Sequence, residues 1–303
     1  MKYYAGIDIG GTRVKMGIIN EEGTVIVLEN EATATTREDL MKQILNFILR
    51  HQEHTVLGVG VSMPGIVRED GYMQTSGAIK CFLKHPMKAE LEEYLKLPVE
   101  IENDSKSASL AEKWIGAARE LDDFVCFTLG TAVGGAIYIN GKLVRGLGGM
   151  AGEFGIALCG RKRGEYNEQS FSCLAGVVAG LCRNYSYRVH ERVLDAVEIY
   201  RRAHAGDQDA RDCIEEFYHD VAILLVNTAV IVAPKVMLIG GGISANEEAM
   251  AGIQKEYEKM SQEYHVLSLV EMPRILPCQL KNDAGMIGAV RNLMLKQGKD
   301  SQK

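Results

Sequence analysis

The fold is decided by residues 4–19, which read YAGIDIGGTRVKMGII. Two apolar runs flank a turn that contains Gly10, Gly11 and Thr12, a pattern typical of a β-hairpin. Asp8 lies just before the turn and Lys15 just after it. Glycine lets backbone N–H groups approach phosphate oxygens closely, so the stretch predicts a phosphate-binding hairpin. A tight hairpin that needs glycine only for positive φ is the plainer alternative.

A related hairpin follows in the middle of the chain, at residues 127–139, which read FTLGTAVGGAIYI. Its turn residues are Gly130, Thr131, Gly134 and Gly135. Two such hairpins facing each other across a cleft could hold a polyphosphate from both sides. Neither matches the G-x-x-x-x-G-K-[ST] loop or the G-x-G-x-x-G dinucleotide motif, so both of those nucleotide folds are excluded.

Composition narrows the class of protein. The chain has 303 residues, a net charge of -6 and 47% apolar residues, which disfavours a nucleic-acid binder. Seven cysteines without a C-x-x-C pair indicate reduced thiols and neither a disulfide frame nor a zinc site. No apolar run approaches the roughly 18–20 residues of a membrane span, and no signal peptide is evident, so a cytoplasmic protein is expected.

The pattern along the chain is strands followed by helices, twice over. It predicts an α/β fold of two lobes with a cleft between them. We expect an N-terminal lobe at 1–118, joined by a C-terminal helix at 284–297, and a C-terminal lobe at 119–283. Continuous helices are expected near 173–185 and 193–205.

Three further motifs carry potential chemistry. Asn103 and Asp104 end a predicted strand, where they could cap a helix or supply a carboxylate that takes a proton from an attacking hydroxyl. Glu153 lies between glycines in Gly152–Gly155, suited to bonding vicinal hydroxyls, or is simply a charged loop residue. The triple glycine at 240–242 could lie under an adenine ring or merely end a strand. The histidines show no ligand-like spacing.

Together these motifs resemble the ROK family of sugar kinases and repressors, in the hexokinase/actin-like ATPase superfamily. The resemblance spans nearly the whole chain and rests on five ordered segments: Asp8–Lys15, Glu102–Asp104, Thr128–Gly135, Gly149–Gly155 and Ile239–Ser244. It implies two ribonuclease-H-like lobes, an ATP- and Mg²⁺-dependent sugar kinase, and a homodimer.

The resemblance also implies roles for single residues. Asp104 would be the catalytic base and, with Asn103, Glu153, Gly65 and Glu168, would bind the sugar. Asp8 would hold Mg²⁺ through water. The residues implied to bind the nucleotide are Asp8, Gly10, Gly11, Thr12, Lys15, Gly130, Thr131, Gly134, Gly135, Gly240, Gly241 and Gly242.

Two departures bear on the substrate. ROK glucokinases carry a histidine directly after Gly-Glu-x-Gly, where this chain has Ile156, and a C-x-C-G-x-x-G-C zinc motif that Cys159–Cys173 does not match. The chain therefore resembles the zinc-free β-glucoside kinases, with cellobiose as the favoured substrate. An N-acetylmannosamine kinase and a glucokinase stay open. A non-catalytic sugar sensor is the alternative of another class, disfavoured because Asp8, Thr12, Asp104 and Thr131 are all present.

Overall fold

The computed structural model describes residues 1–160 and 162–298. The strands, in chain order, are β1 Tyr3–Ile9, β2 Arg13–Asn20, β3 Val25–Ala32, β4 Val56–Met63, β5 Val99–Asn103, β6 Phe124–Leu129, β7 Val133–Ile139, β8 Lys142–Leu143, β9 Val236–Gly240 and β10 Arg274–Pro277. The α-helices are α1 Arg37–Arg50, α2 Met87–Leu95, α3 Asp104–Ile115, α4 Phe171–Leu174, α5 Arg183–Val189, α6 Ala196–His204, α7 Gln208–Val232, α8 Glu247–Glu263 and α9 Ala284–Lys296. Within these residues, no helix has the length and apolar character to cross a membrane.

The chain forms two compact units. Unit 1 contains Met1–Glu120, Leu143–Ala151 and the segment that starts at Asn282; unit 2 contains Leu121–Lys142 and Gly152–Lys281. Each unit has a five-stranded mixed sheet, in the order β3-β2-β1-β4-β5 and β10-β9-β6-β7-β8 respectively. The predicted α/β class with two sheets is confirmed. The boundary at residue 118 stays a prediction.

In unit 1, a row of glycines lets a helix lie directly on the sheet. Gly17, Gly6 and Gly60 share one register on the neighbouring strands β2, β1 and β4. A Cβ atom on Gly60 would lie 2.2 Å from the Ala289 carbonyl oxygen of α9, and one on Gly6 would lie 2.6 Å from that of Met286. Side chains at these positions would push α9 off the sheet. The glycine row therefore fixes where the first two turns of α9 lie on the sheet.

Apolar residues of α1 and α2 build the core of unit 1 with the strands. Leu40, Ile44 and Phe47 are buried along one face of α1, at the i, i+4, i+7 spacing of an amphipathic helix. Thr36 caps this helix by accepting the backbone N–H of Asp39 at 3.1 Å. The sequence motif at Thr36 thus sets the start of the helix, and its apolar spacing sets which face is buried.

In unit 2, the predicted continuous helix at 173–185 is wrong. The chain forms α4, breaks at Gly176, continues as a π-helical turn at Val177–Cys182, and only then enters α5. Gly176 has extended backbone angles, and the turn after it donates the Val177 N–H to the Gly130 carbonyl at 2.9 Å. The break thus lets the start of the turn bond the second hairpin. Helix α6 also begins later than predicted, because Asp195 caps it by accepting the Val197 N–H.

Candidate functional site

Polar residues form a row across the sheet of unit 1. Lys15, Asp8, Ser62 and Glu102 share one register on β2, β1, β4 and β5. Each of these residues is two positions along its strand from Gly17, Gly6, Gly60 or Glu100, and Glu100 is the register partner of Gly60 on β5. Because side chains two apart on a strand point to the same side, the polar row and the glycine row share one face of the sheet. The apolar strands of the sequence therefore bring four polar groups side by side at the face where α9 packs.

The pKa of the Asp8 carboxyl group in this row is shifted. Ser62 donates a hydrogen bond to Asp8 Oδ1 at 2.7 Å. Burial raises the pKa of Asp8 to about 6; the charge of Asp104 adds to the rise, and the Ser62 bond and Lys15 oppose it. Two carboxylates that repel each other suit a divalent cation, and carboxylate oxygens are ligands that Mg²⁺ prefers. The residues present therefore fit a magnesium ion at Asp8.

The first turn of α9 closes around this end of the hairpin. Lys15 Nζ donates to the Asn282 carbonyl oxygen at 2.5 Å and to Asp283 Oδ1 at 3.1 Å. A Cβ atom on Gly285 would lie 2.6 Å from both Cγ and Oδ2 of Asp8. Lys15 thus has partners within the protein, and the Asp8 carboxylate lies against helix backbone where only glycine fits.

Asn103 and Asp104 lie where β5 passes into α3. Asn103 Oδ1 accepts the backbone N–H groups of Ser105 and Lys106 at 3.0 and 3.1 Å, so the predicted helix cap is confirmed. Asp104 is the first residue of the helix, and burial raises its pKa. Hydrogen bonds from Ser105 and the charge of Lys106 oppose that rise. A carboxyl group with a raised pKa at a strand end is a candidate general base.

Asn103 also ties down the loop after β4. Its Nδ2 donates to the Gly65 carbonyl oxygen at 3.0 Å. Gly65 has a φ of +120°, and a Cβ atom there would lie 2.2 Å from the Thr75 carbonyl oxygen, so only glycine fits. The sequence-predicted residues Gly65, Asn103 and Asp104 are thus brought together.

In unit 2, glycines hold Glu153 against the second hairpin. A Cβ atom on Gly152 would lie 2.8 Å from the Gly135 carbonyl oxygen, and one on Gly155 would lie 2.1 Å from that of Val133. Phe154, between them, packs on Phe127 with ring centroids 4.8 Å apart. The spacing Gly-Glu-Phe-Gly therefore fixes the backbone on both sides of a half-buried carboxylate.

A cavity of about 310 Å³ lies within unit 2. The second hairpin and the triple glycine both contribute to its wall, together with the π-helical turn and the starts of α6 and α8. Its lining residues are Leu129, Gly130, Thr131, Val177, Val178, Leu194, Asp195, Ala196, Val197, Tyr200, Gly242, Ile243 and Asn246. A mostly apolar wall with a few polar groups is typical of small-molecule sites.

At two glycines of this cavity, neither the backbone angles nor the packing of the protein requires a glycine. A Cβ atom on Gly130 or on Gly242 would meet nothing within 4 Å, and neither residue has positive φ. By contrast, Gly241 has a φ of +87° and would place a Cβ atom 2.2 Å from the Leu129 carbonyl oxygen. The space left beside Gly130 and Gly242 is consistent with room for a ligand.

The remaining predicted residues are less enclosed. Gly10 and Gly11 form the first turn, where Gly10 N–H donates to the Arg13 carbonyl at 2.9 Å, and Thr12 is exposed. Glu168 lies on an exposed loop of unit 2, and the side chain of Ile156 is 59% exposed. Within residues 1–160 and 162–298, no three histidine, cysteine or acidic side chains are grouped to hold a metal ion.

Sequence reasoning missed several residues of these sites. Ser62 is the next-to-last residue of the apolar strand β4, and nothing in the sequence near it marks its contact with Asp8. Arg145 lies just before the glycine-rich stretch and donates to Glu102 Oε2 at 2.7 Å, and Gly285 is one of two glycines in the apolar helix α9. Their roles depend on residues far away in the chain, so no local pattern marks them.

The two sheets, each with a glycine turn in an antiparallel hairpin, define the chain as an α/β protein with two sheets of similar construction. The model of the ROK family matches residues 4–296, and the chain belongs to that family. It is 31% identical over 300 residues to the β-glucoside kinase of Listeria monocytogenes, covering 97% of this chain and 98% of that protein.

Solved structures give the same result. A ROK family protein from Streptococcus pneumoniae in complex with sucrose is 30% identical, with a TM-score of 0.87 over 98% of this chain and 99% of that one. A ROK family glucokinase from Streptomyces griseus in complex with glucose and AMPPNP is 27% identical, with a TM-score of 0.78 over 95% and 97%. The predicted family and fold are confirmed.

Proposed function

We propose that this protein transfers the γ-phosphate of ATP to the C6 hydroxyl of a β-glucoside such as cellobiose. The coarser assignment, an ATP-dependent carbohydrate kinase, follows from its family and from relatives named as sugar kinases. The observation that carries the chemistry is the Asp104 carboxyl group. It lies at a strand end with a raised pKa, and its charge acts on that of Asp8.

Each unit has its own part in the proposed reaction. Asp104 accepts the proton of the sugar hydroxyl as that oxygen forms a bond to the γ-phosphorus and ADP leaves. Asn103, Gly65, Glu153 and Glu168 hold the sugar. The cavity of unit 2 receives the adenosine, and Gly130 and Gly242 leave room for it. Catalysis of this kind depends on positioning and charge neutralisation.

The two hairpin turns would bind the phosphates. Backbone N–H groups and the hydroxyls of Thr12 and Thr131 are the donors that the turns offer. Asp8 would hold Mg²⁺ through water. When bound, the ion neutralises charge on the phosphate oxygens.

The choice of sugar rests on Ile156. Its exposed apolar side chain lies where ROK glucokinases carry a histidine. The replacement removes a polar contact near C1 and C2 of the sugar. A substituent at C1 would cover apolar surface there. A β-glucoside therefore suits this position better than free glucose.

The base is tested with Asp104→Asn. General-base catalysis contributes roughly 10²–10⁴-fold, so we expect ADP release to fall by at least about 100-fold. Sugar binding, measured by calorimetry, should persist. Retained turnover would refute the role of Asp104. A wild-type protein that binds sugar without releasing ADP would instead identify a sugar sensor.

The substrate is tested with a coupled ADP-release assay over glucose, cellobiose and N-acetylmannosamine. We expect cellobiose to give the highest kcat/KM, and Ile156→His to shift the preference toward glucose. Leu158→His is the matched control, because Leu158 is also exposed, at 51%, two residues away. Wild-type protein that turns over glucose much faster than cellobiose would contradict the proposal; faster N-acetylmannosamine turnover would select the main competitor.

A homodimer and a cytoplasmic location stay predictions, as does the absence of nucleic-acid partners. Size-exclusion chromatography with light scattering tests the first. A monomer at micromolar concentration would contradict it.

A further inference from the structure

Both oxygens of the Glu102 carboxylate accept hydrogen bonds within the protein, and the residue is only 4% exposed. Oε1 accepts the backbone N–H of Asn103 at 2.9 Å, and Oε2 accepts Nη2 of Arg145 at 2.7 Å. The Glu102 side chain is therefore hydrogen-bonded to the backbone of Asn103, the residue before Asp104.

Arg145 also reaches the C-terminal helix. The same Nη2 atom donates to Asn292 Oδ1 at 2.8 Å, and Asn292, on α9, is 1% exposed. One guanidinium nitrogen thus joins the end of β5 and α9 to Leu143–Ala151. All of these residues belong to unit 1.

Burying the Glu102–Arg145 ion pair is unfavourable unless both groups keep their full set of hydrogen-bond partners. A buried carboxylate is strongly unfavourable without a cation and hydrogen bonds, and removing one partner of a buried pair is more damaging than removing both. Loss of Arg145 would leave Oε2 of the buried Glu102 without its partner, and the side chain would be held only by the Asn103 N–H. Because Glu102 bonds the Asn103 N–H, its movement would reach Asp104 through one peptide unit.

We propose that Arg145 and Glu102 are positioning residues that hold Asn103 and Asp104 in the geometry of phosphoryl transfer. This inference rests on the proposed role of Asp104 as the base. A misplacement of about 1 Å in a catalytic group can cost on the order of 100-fold in rate.

The same strand supplies a matched control. Glu100 lies two residues before Glu102 on β5, is 7% exposed, and pairs with Lys88 Nζ at 2.6 Å and Lys296 Nζ at 2.9 Å. This second buried ion pair resembles the first in strand, face and burial. Neither of these two ion pairs involves Asn103 or Asp104.

The experiment compares Arg145→Met with Lys88→Met, and Glu102→Gln with Glu100→Gln, in the full chain. All four variants should lower the melting temperature. We expect only Arg145→Met and Glu102→Gln to lower kcat, by about 10- to 100-fold, with the KM for ATP changed less than about threefold. Arg145→Lys should recover part of the kcat, because an ammonium group can donate to both acceptors.

A readout without turnover accompanies the kinetics. In Arg145→Met, amide hydrogen exchange should speed up at the Asn103 N–H, which donates to Glu102, and stay unchanged there in Lys88→Met. A kcat within twofold of wild type for Arg145→Met, or equal losses in the Lys88 and Glu100 variants, would overturn the inference. Failure of the proposed base would show separately, as turnover retained by Asp104→Asn.

Discussion

The close contact between Gly285 and the Asp8 carboxylate predicts the effect of Gly285→Ala. The added Cβ atom would lie 2.6 Å from Asp8 Cγ, where ordinary contacts begin at 3.4 Å, so the carboxylate or the helix must move by about 0.8 Å. Helix α9 packs on the glycine row and also on α3, where a Cβ atom on Gly288 would lie 1.6 Å from the Ser107 carbonyl oxygen, so a shift of the whole helix would disturb a second backbone contact. The Asp8 carboxylate is therefore the part that moves.

The size of the effect follows from two opposing terms. Alanine is preferred to glycine in a helix by about 1 kcal/mol, while overpacking a close contact costs about 1–3 kcal/mol. The free energy of unfolding should thus change by no more than about 2 kcal/mol. A displacement near 1 Å should lower kcat/KM on the order of 10- to 100-fold.

The assay measures ADP release and urea denaturation side by side. Gly58→Ala is the matched control: its Cβ atom would lie 2.9 Å from the Pro98 carbonyl oxygen and 3.0 Å from Leu293, far along α9 from Asp8. It should cost stability without comparable loss of kcat/KM. The reasoning is refuted if folded Gly285→Ala keeps kcat/KM within twofold, or if Gly58→Ala loses as much.

Three further predictions follow from the local environments. Gly242→Ala should raise the KM for ATP severalfold at an unchanged melting temperature. Gly241→Ala should instead destabilise the fold, because Gly241 has a positive φ and a Cβ atom there would collide with backbone. Equal effects of the two variants on kinetics and melting would contradict the assignment of the cavity to ATP. Since burial raises the pKa of Asp104 and the base must be ionised, kcat/KM should fall as pH drops through a value above that of an ordinary aspartate, and a flat profile down to pH 4 would oppose this. Burial raises the pKa of Asp220 to about 6, so its ionised form disfavours the folded state. Asp220→Asn should therefore add roughly 1–2 kcal/mol of stability above pH 6, discounted for partial exposure, and nothing near pH 4, as urea denaturation across pH would show.

Local patterns were sufficient for much of the fold. The hairpin at 4–19 formed as predicted, because two apolar runs around a glycine turn encode a strand pair without reference to the rest of the chain. The helix at Met87–Leu95 is likewise set by local chemistry, since Pro98 cannot continue a helix. The broken helix at 173–185 was missed because the bonds from its turn go to Gly130, more than 40 residues earlier.

The residues of the candidate site also fall into those that local motifs mark and those that only distant contacts reveal. Motif spacing in the sequence pointed to Asp8, Asn103, Asp104 and Glu153, because glycine and acidic residues at strand ends carry a local signal. Ser62, Arg145 and Gly285 carry none, since each acts on a residue distant in the chain.

The sequence by itself determined the family, the two sheets and the class of reaction, because these depend on short motifs in a fixed order. Only the tertiary structure decided how the polar groups are held. Strand register sets Lys15, Asp8, Ser62 and Glu102 in one row, and close helix packing on Gly6 and Gly60 brings α9 against Asp8. Register and helix position are properties of paired elements, so they exist only once the chain has folded.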